Sequence, residues 1–247
     1  MHLIVGNWKA APEKTKDALV LAKATRALAK KNKKVSVIVC APFVHISTVA
    51  TAFPYHVGAQ GVSPSADVPH TGTVTAGMLK SLGVSYCIVG HSESRARGET
   101  NEMVRDEILR LIEKKITPIV CIGEKKRDTQ GWYLSEIKDQ LESFLRVIPR
   151  AALPKIVLAY EPVWAVGAKA LREATPAECH EMTIYIRKVI TDTFDQASAN
   201  KTRILYGGSV DETNANDFLA HGGVQGLLVG RQSLQPKHFE ALVRSLV

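Results

Sequence analysis

Aromatic residues are scarce in this chain, 6% of 247, and its 45% hydrophobic content is mostly Val, Ile, Leu and Ala. Few rings and many branched aliphatics suit short buried parallel strands covered by helices. Cysteine is scarce as well. Cys40, Cys87, Cys121 and Cys179 form no CxxC pair and no metal-ligand spacing, which argues against a disulfide framework or a zinc site. Three of the four lie inside or at the ends of apolar runs, as buried free thiols in a reducing compartment would. No apolar run approaches the ~18 residues of a membrane span. The first residues, MHLIVGNWKA, show no charged leader ahead of a long apolar segment. A soluble cytoplasmic protein with no membrane partner is the expectation.

Negative charge is in deficit: 32 Lys and Arg against 24 Asp and Glu give a net +8. Such an excess suits small anionic substrates as well as nucleic acid. The lysines cluster in AKKNKKV at 29–35, the solvated end of a helix, with no interleaved aromatics or recognition motif. Nucleic acid is therefore not an expected partner. No linker or low-complexity segment interrupts the chain, and one domain over 1–247 is expected.

What is present is alternation. Apolar runs fall at 3–6, 35–40, 55–59, 84–90, 116–123, 155–160, 203–208 and 224–230. Amphipathic stretches of helical length separate most of them. Val104, Ile108, Leu111 and Ile112 share one helical face; so do Met182, Tyr185, Ile186, Val189 and Ile190, and so do Phe239, Leu242, Val243 and Leu246. Thr175-Pro176 followed by Glu178 marks a helix start. Eight strand-then-helix units with near-continuous apolar strands predict an α/β fold, a single (β/α)8 barrel with eight parallel strands and an outer ring of helices. An open doubly wound sheet would more often carry a Gly-rich dinucleotide turn after its first strand; here that strand runs into GNWK.

In such a barrel the loops after the strands meet on one face. That face would gather Asn7 and Lys9, His91, Glu161, Gly207-Gly208-Ser209 and Gly230-Arg231. Singly, each has a plain explanation: a solvated lysine, a helix-capping histidine, a glutamate opening a turn, glycines where no Cβ fits. Together they describe a chemistry. In YEPVW the glutamate ends an apolar strand and is fixed by proline, a partly desolvated setting that suits a base acting on carbon. A neutral histidine polarises a carbonyl, a lysine stabilises an enediolate, and Gly-rich turns offer backbone N–H groups to phosphate. The residues suggest proton abstraction beside a carbonyl in a small phosphorylated substrate, with no cofactor and no metal required.

The strings GNWK, GAQ, GHSE, GET, CIGE, AYEPVWAVG, YGGSV and LVG, in this order, resemble the triosephosphate isomerase family over residues 2–247. The resemblance implies a TIM barrel that interconverts dihydroxyacetone phosphate and D-glyceraldehyde 3-phosphate without a cofactor. It makes Glu161 the catalytic base, His91 the electrophile, Lys9 and Asn7 the residues on substrate oxygens, and Glu93 a supporting acid. It makes Gly167, Ser209 and Gly230 backbone phosphate binders, and the segment after Trp164 a closing lid, a device this family commonly illustrates. A homodimer is implied as well.

Departures from the family pattern carry further expectations. WAVGAKALREATP is about two residues longer than the usual lid, with altered closing kinetics expected. Arg231 replaces a glycine, which either hinders approach to the phosphate or adds a charged contact. Gly223 and Gln225 stand in place of acidic residues, leaving Arg187 as an arginine without its carboxylate. Thr73 and Ser94 replace a glutamate and an arginine at the dimer contact, and Ala10 and Ala11 trim it, so a weakened dimer is expected. Two other readings stay open: an isomerase of another small sugar phosphate, and a catalytically impaired phosphate-binding barrel.

Overall fold

Every one of the eight apolar runs forms a strand: β1 (His2–Asn7), β2 (Val35–Cys40), β3 (Val57–Ala59), β4 (Tyr86–Val89), β5 (Thr117–Ile122), β6 (Val157–Tyr160), β7 (Arg203–Tyr206) and β8 (Gly226–Val229). The computed structural model describes residues 1–65, 70–166 and 172–246. All neighbouring strands are parallel and in chain order. β1 also pairs with β8, from Leu3 opposite Gly226 to Gly6 opposite Val229, which closes the barrel.

Alternation along each strand feeds two separate cores. Leu3, Val5, Ile38, Ile119, Leu205 and Leu228 fill the interior. Ile4, Val37, Val89, Val120, Leu158 and Leu227 point the other way, into the layer under the helices. Both strand faces are dry, and for that reason the strands read as unbroken apolar runs. All four cysteines are buried and free. Burial pushes their thiols up from the ordinary value, Cys179 to about 12, so none is a ready nucleophile.

From β3 to β8 the strands are shorter than their apolar runs, for reasons visible at two of the ends. Tyr55 sits in the left-handed region at φ 67 and turns the chain before β3, while Gly90 at φ 70 turns it after β4.

The helices around the barrel are α1 (Thr15–Lys31), α2 (Ile46–Ala52), α3 (Ala76–Ser81), α4 (Ser92–Arg95), α5 (Asn101–Glu113), α6 (Trp132–Leu145), α7 (Pro176–Thr193), α8 (Gln196–Lys201), α9 (Ala215–His221) and α10 (Pro236–Ser245). The three predicted stripes face inward: Val104, Ile108 and Leu111 on α5, Met182, Ile186, Val189 and Ile190 on α7, and Phe239, Leu242 and Val243 on α10 are buried. Ile112, Tyr185 and Leu246 flank them as partly buried side chains. The α7 start is a capping box. The Thr175 hydroxyl accepts from the Glu178 N–H, and the Glu178 carboxylate accepts from the Thr175 N–H at 2.8 Å.

Candidate active site

At the carboxyl ends of the strands a cavity of about 350 Å³ opens, lined by Asn7, Lys9, His91, Glu161, the Gly207–Ser209 turn and the Gly230–Arg231 turn. The barrel thus joins the side chains that the strand ends put forward. Glu93 lies just behind, bound to Lys9.

Glu161 follows β6 and is 2% exposed. Its Oε1 lies 3.2 Å from His91 Nε2, and its Oε2 accepts from the Ser92 N–H at 3.3 Å. Gly207, across from it, must lack a side chain: a Cβ there would stand 2.8 Å from Glu161 Cγ. His91 caps α4, its Nδ1 accepting from the Glu93 N–H at 3.1 Å. An accepting ring nitrogen carries no proton, so the neutral imidazole bears its hydrogen on Nε2, the atom that faces Glu161 and the cavity.

Lys9 adopts φ 52, a left-handed backbone that costs a non-glycine residue about 1 kcal/mol. The Asn7 side chain holds it there, Oδ1 accepting from the Lys9 N–H at 3.0 Å. The Asn7 amide group keeps its N–H donors for other partners. The Lys9 ammonium meets Glu93 Oε1 at 2.5 Å. Desolvation opposes the Glu93 charge, but the hydrogen bond and charge of Lys9, helped by Arg97, outweigh it and hold the carboxyl below its ordinary value.

Opposite this group, the Ser209 hydroxyl donates to the Ala165 carbonyl at 3.1 Å, and Asn214 fixes the turn by donating to the Ser209 carbonyl at 3.3 Å. Arg231–Leu234 is a 3-10 turn following Gly230, and its first N–H groups have no acceptor within the turn. Arg231 is absent from the residues at positive φ. Its replacement of glycine therefore imposes no backbone strain, and its side chain lines the cavity. The backbone strain on which the hindrance alternative depended is absent. Gly167 lies outside the described residues, as does most of the predicted lid.

The sequence profile of the family Triosephosphate isomerase matches residues 2–246. The chain is similar to triosephosphate isomerase of Thermus thermophilus, 37% identical over 98% of this chain and 97% of that one. It is 35% identical to triosephosphate isomerase of Bacteroides fragilis over the same shares of the two chains.

The chain belongs to the triosephosphate isomerase family.

Three acidic groups in or beside the cavity carry no assignment from the sequence. Glu173 and Asp211 line it. The Asp211 charge is turned to its own loop, accepting from the Thr213 hydroxyl, the Thr213 N–H and the Asn214 N–H; the Thr213 hydrogen bond leads in holding its carboxyl below the ordinary value. The third is Glu124, fully buried beneath the segment that follows Glu161. One of its oxygens accepts from Trp164 Nε1 at 2.8 Å and from the Tyr160 hydroxyl at 2.9 Å, with Arg127 Nε at 3.4 Å. The signal was available: CIGE ends an apolar strand in glycine and glutamate, as the other site strands end in polar groups.

Proposed function

We propose that this chain interconverts dihydroxyacetone phosphate and D-glyceraldehyde 3-phosphate by proton transfer through an enediolate, with no cofactor. The observation that carries this reading is the pairing, in a small polar cavity, of a buried Glu161 carboxylate with the Nε2–H of a neutral His91. The Glu161 carboxylate takes a proton from one substrate carbon. The electron pair moves into the carbon–carbon bond, and the carbonyl oxygen becomes an enediolate oxygen. His91 Nε2–H donates to that oxygen and passes a proton between the two oxygens, while the Lys9 ammonium offsets the charge that develops. Glu161 then returns its proton to the other carbon.

Glu93 steadies Lys9 in this scheme, and Asn7 offers its amide to a substrate oxygen. The phosphate binds the backbone of Ser209, Gly230 and Gly167 together with the Arg231 guanidinium. The catalytic residues are accordingly Glu161, His91 and Lys9, with Glu93 in support.

The reading extends to a cytoplasmic homodimer weaker than is usual for the family, in one catalytic domain. Phe43, Val44 and Met78 are exposed apolar side chains near the loops after β2 and before α3, surface that a second copy would cover. Thr73 and Ser94 make local bonds instead of an ion pair, to the His70 carbonyl and from Arg97 respectively. Among the described residues no helix is long and apolar enough to cross a membrane.

The decisive experiment measures conversion of D-glyceraldehyde 3-phosphate by the purified chain and by Glu161→Ala. Loss of the base is expected to cut kcat by about 10³-fold. A folded parent no faster than buffer would sink the reading in favour of an impaired phosphate-binding barrel.

A further inference from the structure

Two carboxyl groups outside the cavity lining stand against each other behind the β4 loop. Glu99 lies between α4 and α5, and Glu107 lies on α5, 4% exposed. Each has one buried oxygen, Oε2, with no hydrogen-bond donor among the described residues, while the two carboxyl groups are within hydrogen-bond reach of each other. Two ionised carboxylates could not be held so: neither would supply a hydrogen, and both charges would be desolvated. One proton shared by the pair removes one of the two buried charges and supplies the hydrogen that two carboxylates lack.

The neighbours give the pair a task. Arg95, the cation facing it from α4, donates from Nε to the Gly90 carbonyl at 2.8 Å and from Nη1 to Asn101 Oδ1 at 2.7 Å. Glu99 is within hydrogen-bond reach of the Gly90 N–H. Arg95 thereby holds the carbonyl side of Gly90 by a hydrogen bond, with the Glu99 carboxyl close to its N–H side, one residue before His91. That glycine is itself tightly placed: its φ is +70, and a Cβ would meet the Cys121 carbonyl at 2.9 Å. We propose that Glu107 is a neutral acid sharing its single proton with Glu99, and that this proton holds the Glu99–Arg95 grip on Gly90 which aims His91. Glu107 is then a positioning residue. The catalytic part of this inference rests on the isomerase reading above; the shared proton does not.

Burial raises both carboxyls, but the proton resides on Glu107 because Arg95 and the Gly90 N–H favour charge on Glu99. Burial, with the Glu99 charge adding to it, pushes the Glu107 carboxyl up to about 9 against the Arg95 charge; Asp106 on the same helix adds in the same direction. Cys87 on β4 and Cys121 on β5 complete the surroundings as neutral thiols raised by burial. Folded Glu107 keeps its proton to about pH 9, whereas a carboxyl at the ordinary 4.5 releases it. Between those values the folded state binds more protons than the unfolded chain, so this group makes stability fall as pH rises.

Glu107→Gln keeps a hydrogen-bond donor and has no proton to lose; Glu107→Leu removes the donor. At neutral pH the parent should show the infrared carbonyl band of a protonated carboxylic acid that Glu107→Gln lacks. The melting temperature of Glu107→Gln should rise increasingly above the parent's between pH 5 and about 9. Absence of the band, its survival in Glu107→Gln, or parallel melting curves would overturn the shared proton. Glu107→Leu should move the ring resonances of His91 and lower kcat about tenfold, with KM changed by less than about twofold, while Glu107→Gln retains both. Unmoved His91 resonances and an unchanged kcat in Glu107→Leu would overturn the positioning role. A parent with the band but no isomerase activity would sink the isomerase reading and leave the pair standing, and the His91 resonances would still report on positioning.

Discussion

At the residue scale, Arg231 is where the chain departs most from what a phosphate turn requires. Glycine in such a turn lets backbone approach an anion, and any side chain is a hazard if φ is positive. Arg231 escapes the hazard, opening a 3-10 turn at ordinary backbone angles with its side chain on the cavity. A guanidinium there offers a charge-assisted contact to phosphate. Because the side chain is exposed, its contribution is reduced by water to about 1 kcal/mol. Arg231→Gly should therefore raise KM roughly fivefold with kcat little changed, as steady-state kinetics at fixed ionic strength would show. A tighter-binding variant would mean that the arginine obstructs the site.

At the element scale, the β6–α7 connection is braced at both ends. Trp164 is tied by its indole N–H to Glu124, and Arg172 lies over its ring at 4.4 Å. Arg172 also pairs with Glu178, the residue that closes the α7 capping box. The Arg172 hydrogen bond, reinforced by Thr175, lowers the Glu178 carboxyl to about 2 against a desolvation that opposes it. A depressed carboxyl stabilises the fold above its unfolded value and loses that contribution as pH falls through the folded one. The melting-temperature advantage of the parent over Glu178→Gln should thus be full above pH 4.5 and gone near pH 2. An advantage independent of pH would show that the pair contributes by shape and not by charge. Another element resolves an expectation differently. Arg187 on α7 has no carboxylate partner among the described residues, but the Gln225 side chain and the Ala199 and Thr202 carbonyls accept its hydrogen bonds, while burial lowers its pKa. Neutral acceptors meet the arginine where an acid was expected.

At the scale of the whole molecule, the closed barrel leaves its strands no free edge, so self-association has to use the helices and loops around it. The exposed Phe43, Val44 and Met78 supply apolar surface, and the paired loss of charge at Thr73 and Ser94 leaves no ion buried alone. Light scattering across a dilution series should give a dimer at micromolar concentration that dissociates on dilution. A stable tetramer, or a monomer at micromolar concentration, would overturn the dimer.

The eight strands, the three buried helix stripes and the α7 cap were legible in the sequence because each depends on residues two to four apart, where local periodicity and burial coincide. Asn7, Lys9, His91 and Glu161 were legible because a barrel of known handedness turns strand ends into a common mouth. The tertiary structure alone decided the rest. Which His91 nitrogen carries the hydrogen depends on the Glu93 N–H; whether Arg231 obstructs depends on a backbone angle. The Glu99–Glu107 pair, the Arg172–Trp164 stack and the Glu124 node under Trp164 join side chains whose meeting requires specific rotamers and a closed, close-packed fold. A pattern of apolar and polar positions records which face a residue occupies, but not which partner it finds there.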